Sequence, residues 1–297
     1  MSSVSFSELL GLMKWPLIAS LVLPWLLVYL GLHIVRRGVI FVDLALAQTA
    51  ALGTCAGMLV GYDVHDWQTY AISLGFTLFG ALVLTFTRTR DQRVPQEALI
   101  GIVYVVAAAA AILALSHSTG GKEELQRSLV GELLVVPPHE IWKTLGLYIV
   151  IGLLHYFFRA KFLAISSDPE RALASGLNVR LWDFVFYLLF GMVVTSFVHI
   201  GGVLLVFSYL VVPAVCATFL VDSMVARFAV GWTIATVASI VSLYVTGQVI
   251  DLPIGAATVC VLGLFLVVVL IIARFMPRPR VAGPENQHQR RLDPEFK

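Results

Sequence analysis

An aspartate and a glutamine, Asp43 and Gln48, interrupt the otherwise apolar run VDLALAQTAALG from Val42 to Gly53. A carboxylate at that depth loses its hydration, so such residues in membrane proteins mark cargo pathways or pair with a nearby cation. Both readings are open at Asp43. It is either a contact for a cation passing through the protein, or a helix cap and partner for Arg36 or Arg37 just upstream. His199 is the second candidate, directly before Ile200-Gly201-Gly202. Neutral imidazole there suits a cation pathway or gate; the alternative is an interfacial ring reaching toward headgroups. His65, His117 and His139 fall in loops without ligand spacing, and His33 and His155 read as interfacial. Glu97, after Pro95, reads as an acidic first turn stabilised by the helix dipole, with no metal assigned to it.

The elements that position these residues follow from composition. The chain has 297 residues, 59% hydrophobic and 13% charged, with mean hydropathy +0.90. Soluble domains carry about 25% charge, and the deficit is explained if most of the chain faces lipid. A net charge of +2, without a basic stripe interleaved with aromatics, argues against nucleic acid. Cys55, Cys216 and Cys260 lie far apart in apolar runs and read as small hydrophobes.

A spanning helix needs roughly 20 apolar residues. Such runs fall at 15–35, 40–61, 67–87, 97–116, 142–158, 182–199, 203–221, 225–246 and 254–274, giving nine expected spans. The pair 182–199 and 203–221 is separated only by Ile200, Gly201 and Gly202, and a broken or re-entrant helix there gives eight. Every odd-numbered span ends in basic residues, among them Arg36-Arg37, Arg88, Arg159, Arg227 and Arg274. Basic residues stay in the cytoplasm, so the N-terminus is expected outside and the C-terminus inside. The expected fold is an all-α polytopic membrane protein with one transmembrane domain over residues 1–275 and a disordered cytoplasmic tail over 276–297. The first run, longer than a signal peptide's apolar core, reads as a retained span.

Two loops stand out. Glu123–Leu134 reads as a short amphipathic helix at the outer interface, stopped by Pro137-Pro138. The inner loop holds SSDPERALASG, in which Asp168 caps, Pro169 opens and Gly176 ends a helix of about two turns. Its small residues Ala172, Ala174 and Ser175, between charged ends, suit docking into a partner's groove or an ordinary connection.

Four stretches together resemble a known family. They are RRGVIFVDLALAQTAALG; PQEALIGIVYVVAAAAAILAL with SLVGELLVVPPHEIW; SSDPERALASGLNVRLWD; and GGVLLVFSYLVVPAVCATFL followed by Leu252-Pro253-Ile254-Gly255. In order and spacing they are similar to the membrane subunits of bacterial ATP-driven importers for zinc, manganese and iron. The resemblance implies a homodimeric permease in the bacterial inner membrane, with the pathway between two copies. It implies a cytoplasmic ABC ATPase and an extracytoplasmic metal-binding protein as partners. The divalent metal ion would be the cargo, with no permanently bound cofactor. By the same resemblance, Asp168, Glu170, Ala172, Ala174 and Gly176 belong to the helix that couples to the ATPase. Asp43, His199 and Gln48 are the pathway candidates. The chain carries no phosphate-binding G-x-x-x-x-G-K-[ST], so ATP hydrolysis is expected in a partner and this subunit is not an enzyme.

The sequence departs from the family at one place. The family pairs the aspartate of the second span with a histidine four residues on, and here that position is Ala47. Gln48 stands five residues from Asp43, about 140° around a helix, so it does not share the aspartate's face. The rival classes are a gradient-driven secondary transporter, an ABC permease for a chelated metal, and an intramembrane enzyme. The first predicts repeats and paired intramembrane charges, which are not evident. For the last, the G-x-S-x-G pattern is missing.

Overall fold

The computed structural model describes residues 6–64, 66–86, 95–116, 123, 126, 129–131, 136–248 and 253–275. The outer helix expected over 123–134 and the tail over 276–297 lie largely or wholly outside them. Among the described residues the regular structure is entirely helical. Lipid leaves no other choice for an open chain, because backbone N–H and C=O groups must be satisfied within the segment.

Among the described residues these helices follow one another: α1 (Phe6–Arg37), α2 (Val42–Val60), α3 (Trp67–Phe86), α4 (Gln96–Leu115), α5 (Pro138–Phe157), α6 (Arg159–Ser167), α7 (Pro169–Ala174), α8 (Val179–Leu220), α9 (Met224–Gln248) and α10 (Ile254–Phe275). Their ends follow sequence chemistry. Gly38 takes φ +68° after the two arginines that close α1. Gly61 takes φ +101° and returns its N–H to α2 carbonyls.

The molecule is built around α1, α2 and α8. Within its spanning window α2 is 72% buried, against 22% for α4 and for α10. α2 packs on α3, α4 and α8, and α1 packs on α8. Small residues allow the close approaches, as expected where hydrophobicity alone does not drive helices together. A methyl group at Gly53 would come within 2.6 Å of the Ser73 backbone, and one at Gly57 within 3.0 Å of the Thr69 side chain. Gly31 lies against the Leu210 backbone, so α1 and α8 touch through their main chains.

α8 bears on one expectation. Windows 182–199 and 203–221 are two helical stretches joined across a kink within Val179–Leu220. Gly202, at non-helical φ 71° and ψ 168°, breaks the helix between them, at the Ile200-Gly201-Gly202 separation. Leu129–Gly131 packs into the bend: a methyl on Gly202 would meet Gly131 N at 2.5 Å and Leu129 O at 2.7 Å. α5 and α6 form a second break, bent by 74°. Among the described residues seven helices are long and apolar enough to cross a membrane, or eight when α5 and α6 count as one span.

Candidate functional site

Asp43 sits in the first turn of α2 and is fully buried. It is not the helix cap: that position is Phe41, whose side chain makes no capping bond. Nor does it pair with Arg37, which is bound to Asp183 at 2.8 Å. Oδ1 of Asp43 accepts from the Leu44 N–H at 2.8 Å, and Oδ2 has no hydrogen-bond partner among the described residues. Glu97, in the first turn of α4, holds the same corner. Its Oε1 accepts from the Ile40 N–H at 2.6 Å, and its Oε2 is likewise buried without a partner. The dipole reading of Glu97 missed this contact, because sequence does not show that α4 reaches the turn before α2.

Gln48 is buried at 2% exposure, its Oε1 also unpartnered among the described residues. His199 lies elsewhere. Its Nδ1 donates to Thr195 O at 2.8 Å and its Nε2 is 3.3 Å from Thr54 Oγ1, with Tyr70 against the ring at 5.6 Å. Thr54 is eleven residues beyond Asp43 on α2, about 16.5 Å along the axis. Asp43 and His199 therefore mark two levels along α2. Among the described residues no three of His, Cys, Asp and Glu cluster as a metal site.

The loop helix forms as its residues dictate. Asp168 Oδ1 accepts from the Arg171 N–H at 3.0 Å, Pro169 opens α7, and Gly176 leaves it at φ +84°. Its two faces differ. Ala172 is turned inward at 3% exposure, whereas Glu170, Leu173, Ala174 and Gly176 are exposed. Ala172 thus anchors the helix, and the outward surface belongs to the others.

A family model for the ABC 3 transport family matches residues 10–273. The chain belongs to the ABC 3 transport family. It is a multi-pass bacterial inner-membrane protein of that family. It is 27% identical over 266 residues to the manganese transport system membrane protein MntC of Listeria innocua, covering 89% of this chain and 91% of the relative. It is 24% identical to the high-affinity zinc uptake system membrane protein ZnuB of Haemophilus influenzae, covering 73% of this chain and 80% of the relative. Its fold matches the solved structure of PsaBC from Streptococcus pneumoniae in complex with Fab, with TM-score 0.76 at 20% identity, covering 91% of this chain and 98% of that one.

In this ABC 3 family chain, two histidines expected at the interface are instead buried: His33 at 0% and His155 at 1% exposure. His33 Nδ1 lies 3.1 Å from Ser166 Oγ, and His155 Nδ1 donates to Ile151 O at 3.1 Å. Both rings pack against Tyr29 and Phe186. His139 is exposed in the first turn of α5, and His65 and His117 lie outside the described residues. For His33 a signal was present as spacing. His33 precedes Arg37 by four residues, one helical turn, so the two share a face of α1.

Proposed function

We propose that this chain is the membrane permease subunit of an ATP-driven importer for a divalent transition-metal ion. Two copies would enclose the pathway. A separate ATPase would act on the 168–176 segment, and an extracytoplasmic protein would deliver the metal. The names of MntC and ZnuB point to manganese and zinc as cargo classes. The observation that carries the reading is Asp43: a carboxylate fully buried on the most buried helix, with one oxygen unpartnered among the described residues. Such a group is costly in lipid and is retained for an ion. A single carboxylate also releases what it holds, as a transport site must.

The donors near Asp43 are oxygens. Position 47 supplies no imidazole, and among the described residues the buried oxygens without a partner at this corner are Asp43 Oδ2 and Glu97 Oε2, with Gln48 Oε1 on another face of α2. Carboxylate and carbonyl oxygen suit manganese, whereas imidazole favours zinc. Manganese is therefore the first candidate. The nine-span arrangement follows if α5 and α6 count as one span and α8 as two on either side of Gly202. The basic residues at odd span ends then place α7 in the cytoplasm.

The test is radioactive manganese uptake into proteoliposomes holding the permease with its ATPase and binding protein. Uptake is expected to require internal ATP and to survive collapse of the proton gradient. Asp43→Asn, nearly the same shape, is expected to cut it at least about tenfold, the loss of about 1.4 kcal/mol of ion stabilisation. Unchanged uptake in Asp43→Asn would sink the cargo contact, and gradient-dependent uptake would favour a secondary transporter.

A further inference from the structure

The end of α1 carries a buried ion pair that cargo binding leaves unused. Arg37 Nη1 lies 2.8 Å from Asp183 Oδ1, with both side chains at most 2% exposed. Arg37 Nε donates to Ser166 Oγ at 3.0 Å. The guanidinium carbon lies 3.8 Å from the centre of the Phe186 ring. Ser166 accepts from Arg37, which leaves its own hydroxyl hydrogen for His33 Nδ1 at 3.1 Å. One guanidinium thus ties together α1, α6 and α8.

Its position along the chain matters as much as its bonds. Ser166 stands two residues before Asp168, the cap of α7. α6 is pressed onto the start of α8, with Phe162 and Lys161 against Trp182 at 5.6 and 4.3 Å. On the other side, Arg37 is followed by the Gly38 turn, by Ile40 bonded to Glu97, and six residues on by Asp43. Arg37 therefore lies between the two: bonded to α6 two residues before the cap of the 168–176 helix, and six residues before Asp43 along the chain.

Arginine suits this place. Its planar fork fixes the angle between the donor used on Ser166 and the donor used on Asp183, which a lysine ammonium on a flexible stem does not. Buried ion pairs add little net stability, so their retention calls for another reason. If α6 shifts against α8, Arg37 must turn with it or leave a buried charge without its bonds.

We propose that Arg37 is a positioning residue that carries displacement of α7 to the α1–α2 corner and so to Asp43, with Ser166 and Asp183 as its anchors. This rests on reading the 168–176 helix as the ATPase contact. The experiment uses the whole complex in proteoliposomes, in a Cys260→Ser background, since Cys260 is the exposed cysteine among the three. Nitroxide labels are placed at exposed Leu173 or Arg36, and their spectra are compared with and without trapped ATP.

In the parent both labels are expected to respond. In Ser166→Ala and Arg37→Lys, the Leu173 label should still respond and the Arg36 label should not. Manganese moved per ATP hydrolysed should fall at least about fivefold, the lower range of coupling between sites. Ser166→Ala keeps the ion pair and decides the matter alone if Arg37→Lys does not accumulate. A normal Arg36 response with a normal transport ratio in Ser166→Ala overturns the proposal. A Leu173 label that ignores ATP in the parent overturns the coupling reading instead, and the role of Arg37 falls with it.

Discussion

Arg37 and Asp183 show how much one residue depends on its partner in a dry interior. Neither charge has water to fall back on, so removing one strands the other. Arg37→Ala and Asp183→Ala are each expected to cost roughly 3–5 kcal/mol. The double variant should cost less than the sum, because the second change removes a charge already stranded. Thermal unfolding of the purified protein in detergent measures all three. Additive losses would mean that the pair does not act as a unit. Asp43 differs at the same scale: it keeps a backbone bond to Leu44 and leaves one oxygen unpartnered among the described residues. The first pair satisfies its charges internally, whereas the second group keeps one buried oxygen open, which is what the proposed cargo contact requires.

At the scale of elements, α7 and α8 carry the testable geometry. α7 has six residues, too few to be stable alone. It stands because Asp168 caps it and Ala172 is packed inward. Ala172→Trp is expected to dislodge the helix and lower transport and ATPase docking together, while Ala174→Trp should lower docking with the fold intact. Limited proteolysis beside a pull-down with the ATPase separates the two outcomes. In α8 the bend depends on Gly202, whose φ and ψ are open to glycine alone. Gly202→Ala adds backbone strain of roughly 1–3 kcal/mol and forces a methyl onto Gly131. The expected result is a lower melting temperature, larger than for Gly263→Ala, where a methyl meets nothing within 4 Å.

Across the whole molecule, burial sorts the helices by environment. α1, α2 and α8 face one another, while α4 and α10 present apolar residues such as Val105, Leu113, Val268 and Ile271 outward. Sidedness is the prediction that belongs here. His139→Cys and Leu173→Cys, both exposed, are expected to react with a membrane-impermeant maleimide from opposite faces, the first from outside and the second from inside. Labelling of both from one face would refute the odd-span orientation.

The sequence by itself determined what depends on local chemistry. Apolar run length marked the spans, because the bilayer fixes how many residues a crossing needs. Asp168, Pro169 and Gly176 defined α7, because caps and turns act within a few residues. The oddness of Asp43 was legible because a lone carboxylate among alanines and leucines has no local excuse. Only the tertiary structure decided who meets whom. Arg37 and Asp183 are 146 residues apart and Ser166 is 129 residues from Arg37, so no pattern on either helix reveals their contact. The same holds for Glu97 beneath the α1–α2 turn and for the histidines expected at the surface and found inside. Periodicity tells which side of a helix is apolar. In lipid both sides are, and packing alone selects the face that becomes the interior.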